Sequence, residues 1–142
     1  MKNIALVISS GGARGLAAIG VIEELEKRGH KISSVSGCSI GSLITGMYAS
    51  GNLAKFKNWV LQLDKKEVFR LMDFTISSQG ILKGDKVFNE IRKLFKDVKI
   101  EDLPIPYSAV SVDLLSHKEF VFESGSLFNA IRASCSIPSI VK

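Results

Sequence analysis

Gly37-Cys38-Ser39-Ile40-Gly41 is the stretch on which the reading of this chain turns. A strand-like run from Ile32 to Ser36 leads into it and a helical run leads out of it, so a serine stands between two glycines where strand gives way to helix. Such a strand-to-helix corner is a nucleophile elbow. Ser39 has to take a strained backbone conformation to lift its hydroxyl clear of the sheet, and side chains at 37 and 41 would collide as strand and helix close on each other. The pattern points to serine hydrolysis, but it arises by chance too often to stand alone.

A second stretch supports it. Ser10-Gly11-Gly12-Ala13-Arg14-Gly15 follows the apolar run Ile4-Ala5-Leu6-Val7-Ile8 and precedes an amphipathic helix. A glycine-rich turn between a strand and a helix N-terminus presents backbone N–H groups with no side chains in the way, and so binds negative charge. The charge can be a phosphate or a transient oxyanion. The turn lacks the Lys-Ser/Thr ending of a Walker loop and the third-glycine spacing of a dinucleotide fingerprint. Beside the elbow it reads as an oxyanion hole formed by Gly11, Gly12, Ala13, Arg14 and Gly15, with the Ile40 amide.

With these motifs the chain resembles the patatin-like phospholipases, serine acyl hydrolases of lipid esters. The resemblance runs on through Tyr48-Ala49-Ser50-Gly51, Gly80-Ile81-Leu82-Lys83-Gly84-Asp85 and Ala130-Ile131-Arg132-Ala133-Ser134-Cys135-Ser136-Ile137-Pro138. It implies a three-layer α/β/α fold with a mainly parallel central sheet, and a Ser–Asp dyad that uses no histidine. In the family the aspartate lies in an Asp-Gly-Gly or Asp-Gly-Ala motif a few tens of residues past the Ser-Ile-Pro segment. No Asp-Gly pair occurs here, and Ala18 stands where many members carry histidine. The expectation is therefore a single patatin-like domain over residues 1–142, C-terminally incomplete, with Ser39 as nucleophile and its aspartate beyond Lys142. Such a chain would turn over substrate poorly by itself.

Bulk properties agree with one packed domain. The 142 residues are 46% hydrophobic, and nineteen Lys and Arg against fourteen Asp and Glu give a net charge of +5. That balance modestly favours anionic lipid surfaces, although a solvated lysine-rich exterior explains it as well. Cys38 and Cys135 lack metal-ligand spacing and read as small buried side chains, so neither metal nor cofactor is expected. The N-terminal apolar run ends at Ser9, too short for a signal-peptide core or a membrane span. A cytoplasmic protein in peripheral contact with membranes is expected. Its partner is a lipid or fatty-acyl ester rather than nucleic acid, and an exposed sheet edge invites self-association.

The periodicity predicts an early strand over 3–9, buried on both faces, and a helix from Leu16 to Arg28 with Ile19, Ile22 and Leu25 inward and Gly29 as its stop. A helix from Ile40 to about Ser50 presents its positive dipole end to Ser39. The region 52–80, with Leu53, Phe56, Trp59, Val60 and Leu63, is either core or a lid that admits acyl chains. Asp85 is predicted as the N-cap of a helix carrying Val87, Phe88, Ile91, Leu94 and Phe95 inward. Tyr107 to Leu114 and Phe120 to Phe122 form a hairpin across Ser116-His117-Lys118, and a short helix covers Asn129 to Ser134. His30 reads as a residue capping a helix end at the surface.

Two other readings stay open at this point. Asp113 and His117 follow Ser39 in the order of an α/β-hydrolase triad, which would make a Ser39-Asp113-His117 esterase. Alternatively, Gly11 to Gly15 holds a phosphate or nucleotide in a module without catalysis. Arg14 either braces the glycine turn or faces an anionic headgroup.

Overall fold

The computed structural model describes residues 2–72 and 81–136, and for 69–72 and 81–87 the backbone alone. Gly80, Ile137, Pro138 and Lys142, named above, lie outside the described residues, as does the end of the region 52–80 from 73 on. Strand β1 (Asn3–Ile8) leads through a tight 3-10 turn (Gly12–Leu16) into α1 (Ala17–Lys27), and β2 (Lys31–Cys38) leads into α2 (Ile40–Ala49). Helices α3 (Leu53–Leu61), α4 (Lys65–Met72) and α5 (Ile81–Leu94) follow, then β3 (Tyr107–Asp113), β4 (Lys118–Phe122) and α6 (Leu127–Cys135).

The four strands form one sheet in the order β1-β2-β3-β4. The pairings β1–β2 and β2–β3 are parallel, and β3–β4 is an antiparallel hairpin. The α/β class with a mainly parallel sheet is thus as expected. Helices α1 and α2 end where the glycines predicted, at Gly29 and Gly51, both at positive φ.

Helix α2 carries the core. All its residues except Tyr48 are buried, because it lies between the sheet and α6. Its polar members are satisfied locally: the Ser42 hydroxyl donates to the Ser39 carbonyl at 2.6 Å and the Thr45 hydroxyl to the Gly41 carbonyl at 2.7 Å. Ile40, Leu43, Ile44 and Met47 pack with Ile22 of α1, Ile91 of α5 and Ile131 of α6 in one contiguous cluster. Phe56 of α3 is fully buried in it, its ring 5.9 Å from Trp59 and 6.3 Å from Phe95. Phe56 is therefore core rather than lid, with the half-buried Trp59 packed against it.

Several expectations need correction. Strand β1 is not buried on both faces: its residues alternate, with Ile4, Leu6 and Ile8 toward the core and Val7 74% exposed. Among the described residues one face of the sheet is packed, and the other displays Val7 and Val112, the latter 64% exposed. A second covering layer is not among them. Helix α5 begins at Ile81, so Asp85 lies inside it rather than at its cap. Helix α6 begins at Leu127, two residues before the predicted start. Its cap is Ser126, whose hydroxyl accepts from the Asn129 amide at 3.0 Å while donating to Asp97, and Asp97 also accepts from the Phe128 amide. The hairpin turn is 114–117, because Lys118 already pairs with Asp113 in the β3–β4 ladder.

Candidate active site

The β2–α2 junction is built around one unusual residue. Ser39 has φ 54° and ψ −126°, a conformation that L residues avoid. It occupies the N-cap position of α2, where a serine ordinarily turns its oxygen onto the amides of the first turn. Here the side chain makes no capping bond, so the hydroxyl is left for other work. Strain plus an unused capping group on a half-exposed serine is the signature of a site rather than of a helix end.

Both flanking glycines are required by contact. A Cβ at Gly37 would overlap the Gly41 carbonyl, and one at Gly41 would overlap the Ile8 carbonyl at the end of β1. The Gly37 clash is the strand-against-helix collision expected from sequence, whereas the Gly41 clash is with the neighbouring strand β1. The glycine turn reaches the same spot from the other side. A Cβ at Gly15 would overlap the Ile40 side chain, one residue past Ser39, and the Ser10 hydroxyl donates to Cys38 Sγ at 3.4 Å, one residue before it. Residues 10 to 15 and 37 to 41 are therefore one packed unit. Helix α2 starts at Ile40, so its positive dipole end lies against Ser39.

Beneath Ser39 lies a polar floor that sequence reasoning did not assign. The Ser39 amide donates to Ser134 Oγ at 2.8 Å, and the Ser134 hydroxyl donates onward to the Val110 carbonyl at 2.5 Å. The Ser39 carbonyl accepts from Ser42, whose own carbonyl accepts from the buried Tyr107 hydroxyl at 3.0 Å. Cys135 completes the floor. Burial pushes its thiol up from its ordinary pKa of 9.0 to about 12, while the Ser42 and Ser39 hydroxyls beside it pull the other way.

That raised thiol pKa gives a pH prediction. The fold prefers the neutral thiol, so Cys135 contributes stability fully present below its unfolded pKa near 9 and lost as pH climbs toward 12. Tyr107, whose phenol is also pushed up by burial, acts with the same sign. The denaturation midpoint is expected to fall between about pH 9 and about pH 12, and Cys135 to resist iodoacetamide until the protein unfolds. A midpoint that rises over that interval contradicts it.

Other residues singled out from sequence sit elsewhere. Asp113 is occupied within its own turn, accepting from the Leu115 amide at 3.1 Å and the Ser116 hydroxyl at 2.6 Å. Those bonds hold its carboxyl below its ordinary pKa. His117 is in the same exposed turn at φ 55°. Among the described residues, no hydrogen bond or ion pair links either to Ser39. The Arg14 side chain is exposed and makes no hydrogen bond to another described residue. Cys38 is half-buried rather than buried. The His30 amide closes α1 by donating to Leu25, but its ring is half-buried, with Nδ1 unpaired among the described residues, so it is no simple surface cap. Among the described residues no cluster of His, Cys, Asp or Glu has the makings of a metal site, and no helix is long and apolar enough to cross a membrane.

A mainly parallel α/β sheet that delivers a strained serine from a strand end to a helix start, with a glycine turn packed on it, defines a class of protein. The chain belongs to the patatin-like phospholipase family, whose model matches residues 6–142. It is 44% identical over 139 residues to an uncharacterized NTE family protein of Mycobacterium bovis, covering 98% of this chain and 39% of that protein. It is 34% identical over 141 residues to patatin-like phospholipase domain-containing protein 6 of Homo sapiens, covering 96% of this chain and 10% of that protein. The chain thus spans well under half the length of these relatives.

Proposed function

We propose that this chain carries the nucleophile and the oxyanion-binding turn of a lipid acyl hydrolase of the phospholipase A or esterase type. The observation that supports it most is the Ser39 conformation: strained, half-exposed, and with its hydroxyl withheld from capping. In this reading Ser39 Oγ attacks a fatty-acyl ester carbonyl. The tetrahedral oxyanion is received by amides of the Gly11–Gly15 turn and of Ile40, each well-aimed donor contributing about 3 kcal/mol to the transition state. Collapse breaks the ester C–O bond, the alcohol departs with a proton from the general base, and water then releases the acyl group.

The base is an aspartate supplied by polypeptide outside residues 1–142, forming the Ser–Asp dyad that the family membership supports. A serine hydroxyl without a base is a weak nucleophile, so residues 1–142 alone are expected to hydrolyse esters slowly. Arg14, exposed at the turn, faces the anionic headgroup. The enzyme meets its substrate at the membrane surface as a peripheral protein.

The test is labelling of the full-length protein with a fluorophosphonate probe, followed by peptide mapping. Modification at Ser39, suppressed by a competing acyl ester, is the expected result. Modification elsewhere, or none alongside thermal stabilisation by nucleotide, would replace this reading with that of a phosphate-binding module.

A further inference from the structure

We infer that Ser134 is a positioning residue for the nucleophile, its hydroxyl holding the strained Ser39 backbone in register with the glycine turn; this rests on the acyl-hydrolase reading above. Ser134 lies in the last turn of α6, 95 residues along the chain from Ser39, and is only 9% exposed. A serine has one proton to donate and lone pairs to accept with. Its proton goes to the Val110 carbonyl, and its oxygen is thereby turned to the Ser39 amide. The polarity of the relay is fixed at both ends.

Val110 pairs with Cys38 across the β2–β3 ladder. Ser134 therefore ties three elements at one point: the end of β2, the middle of β3 and α6. The residue so held has a backbone that would relax toward an ordinary φ if released. The Ser39 amide bond also has a chemical consequence. Being engaged below by Ser134, that N–H is withdrawn from oxyanion binding, which leaves the task to the Ile40 amide and to the turn at Gly11–Gly15. Ser134 is thus neither nucleophile nor donor to the substrate. It sets where the nucleophile's oxygen stands relative to those donors, and displacement of reacting atoms by an ångström costs rate rather than binding.

The experiment compares full-length wild type with Ser134→Ala and Ser134→Thr in ester hydrolysis and in fluorophosphonate labelling. In Ser134→Ala, kcat and the Ser39 labelling rate are expected to fall about 10- to 100-fold with KM within about twofold of wild type. Ser134→Thr, which keeps the hydroxyl, is expected to recover most of the loss. A second measurement needs no variant. The Ser39 amide in the wild-type protein is expected to be protected from hydrogen exchange even though the residue is half-exposed. Unchanged kcat in Ser134→Ala, a loss that Ser134→Thr does not recover, or an unprotected Ser39 amide each overturns the assignment. Failure of the wild type to be labelled at Ser39 overturns the acyl-hydrolase reading instead, so the two failures are separable.

Discussion

Ser39→Ala is expected, on the proposed function, to remove ester hydrolysis by the full-length protein, lowering kcat/KM by about 10⁴-fold or more, as loss of the nucleophile does in serine proteases. The expectation is unusually clean because the side chain has so little structural duty. Its hydroxyl does not cap α2 and lies beside the buried Cys135 thiol, while the Ser134 and Ser42 contacts that hold the junction run through the Ser39 amide and carbonyl. Both survive in alanine. Melting temperature should therefore stay within a degree or two of wild type, since a half-exposed Ser-to-Ala change with no capping bond to lose sits among the mildest substitutions. Activity and stability then separate. A variant that keeps its activity removes Ser39 from the chemistry, while one that loses activity and melts far lower shows only that the junction has come apart.

How much of this site could be read from sequence follows from how local each constraint is. Gly37 and the start of α2 constrain each other within five residues, since a Cβ at Gly37 would meet the Gly41 carbonyl across the strand–helix corner, whereas the need for glycine at 41 comes from the Ile8 and Ser9 carbonyls at the end of β1. The elbow was therefore legible, and so were the stops of α1 and α2 at Gly29 and Gly51. The Ser134 relay was not. It depends on α6 coming to rest against β3 and α2, and nothing within a few residues of Ser134 distinguishes it from any helical serine. The start of α6 is hidden for the same reason, since the acid that completes its cap, Asp97, lies 29 residues before Ser126. Strand β1 shows a different ambiguity. Ile4-Ala5-Leu6-Val7-Ile8 is apolar at every position, which is how a doubly covered strand looks, yet only alternate residues are packed among those described. An all-apolar run does not say how many faces are occupied. Asp85 is a cap by residue type alone, and α5 begins four residues before it.

Gly41→Ala is expected to be severely damaging. The added Cβ would meet the carbonyls of Ile8 and Ser9, both backbone, so no rotamer change can make room. Either β1 or α2 has to move, and each is fastened on its other side: β1 to β2 through the parallel ladder, α2 to the core through Leu43, Ile44 and Met47. Overpacking of this kind exceeds the usual range of about 1–3 kcal/mol, a large fraction of a native stability of about 5–15 kcal/mol. A fall in melting temperature of about 10 °C or more, or failure to accumulate folded protein, is expected for the full-length variant. The matched control is Gly20→Ala. Gly20 lies in α1 with nothing within 4 Å of the added atom, so alanine there should stabilise by about 0.5–1 kcal/mol through helix propensity alone. The same chemical change thus has opposite signs twenty-one residues apart. If both variants melted like wild type, the end of β1 and the start of α2 would not be in contact, and the glycine turn that follows β1 would lose its approach to Ser39.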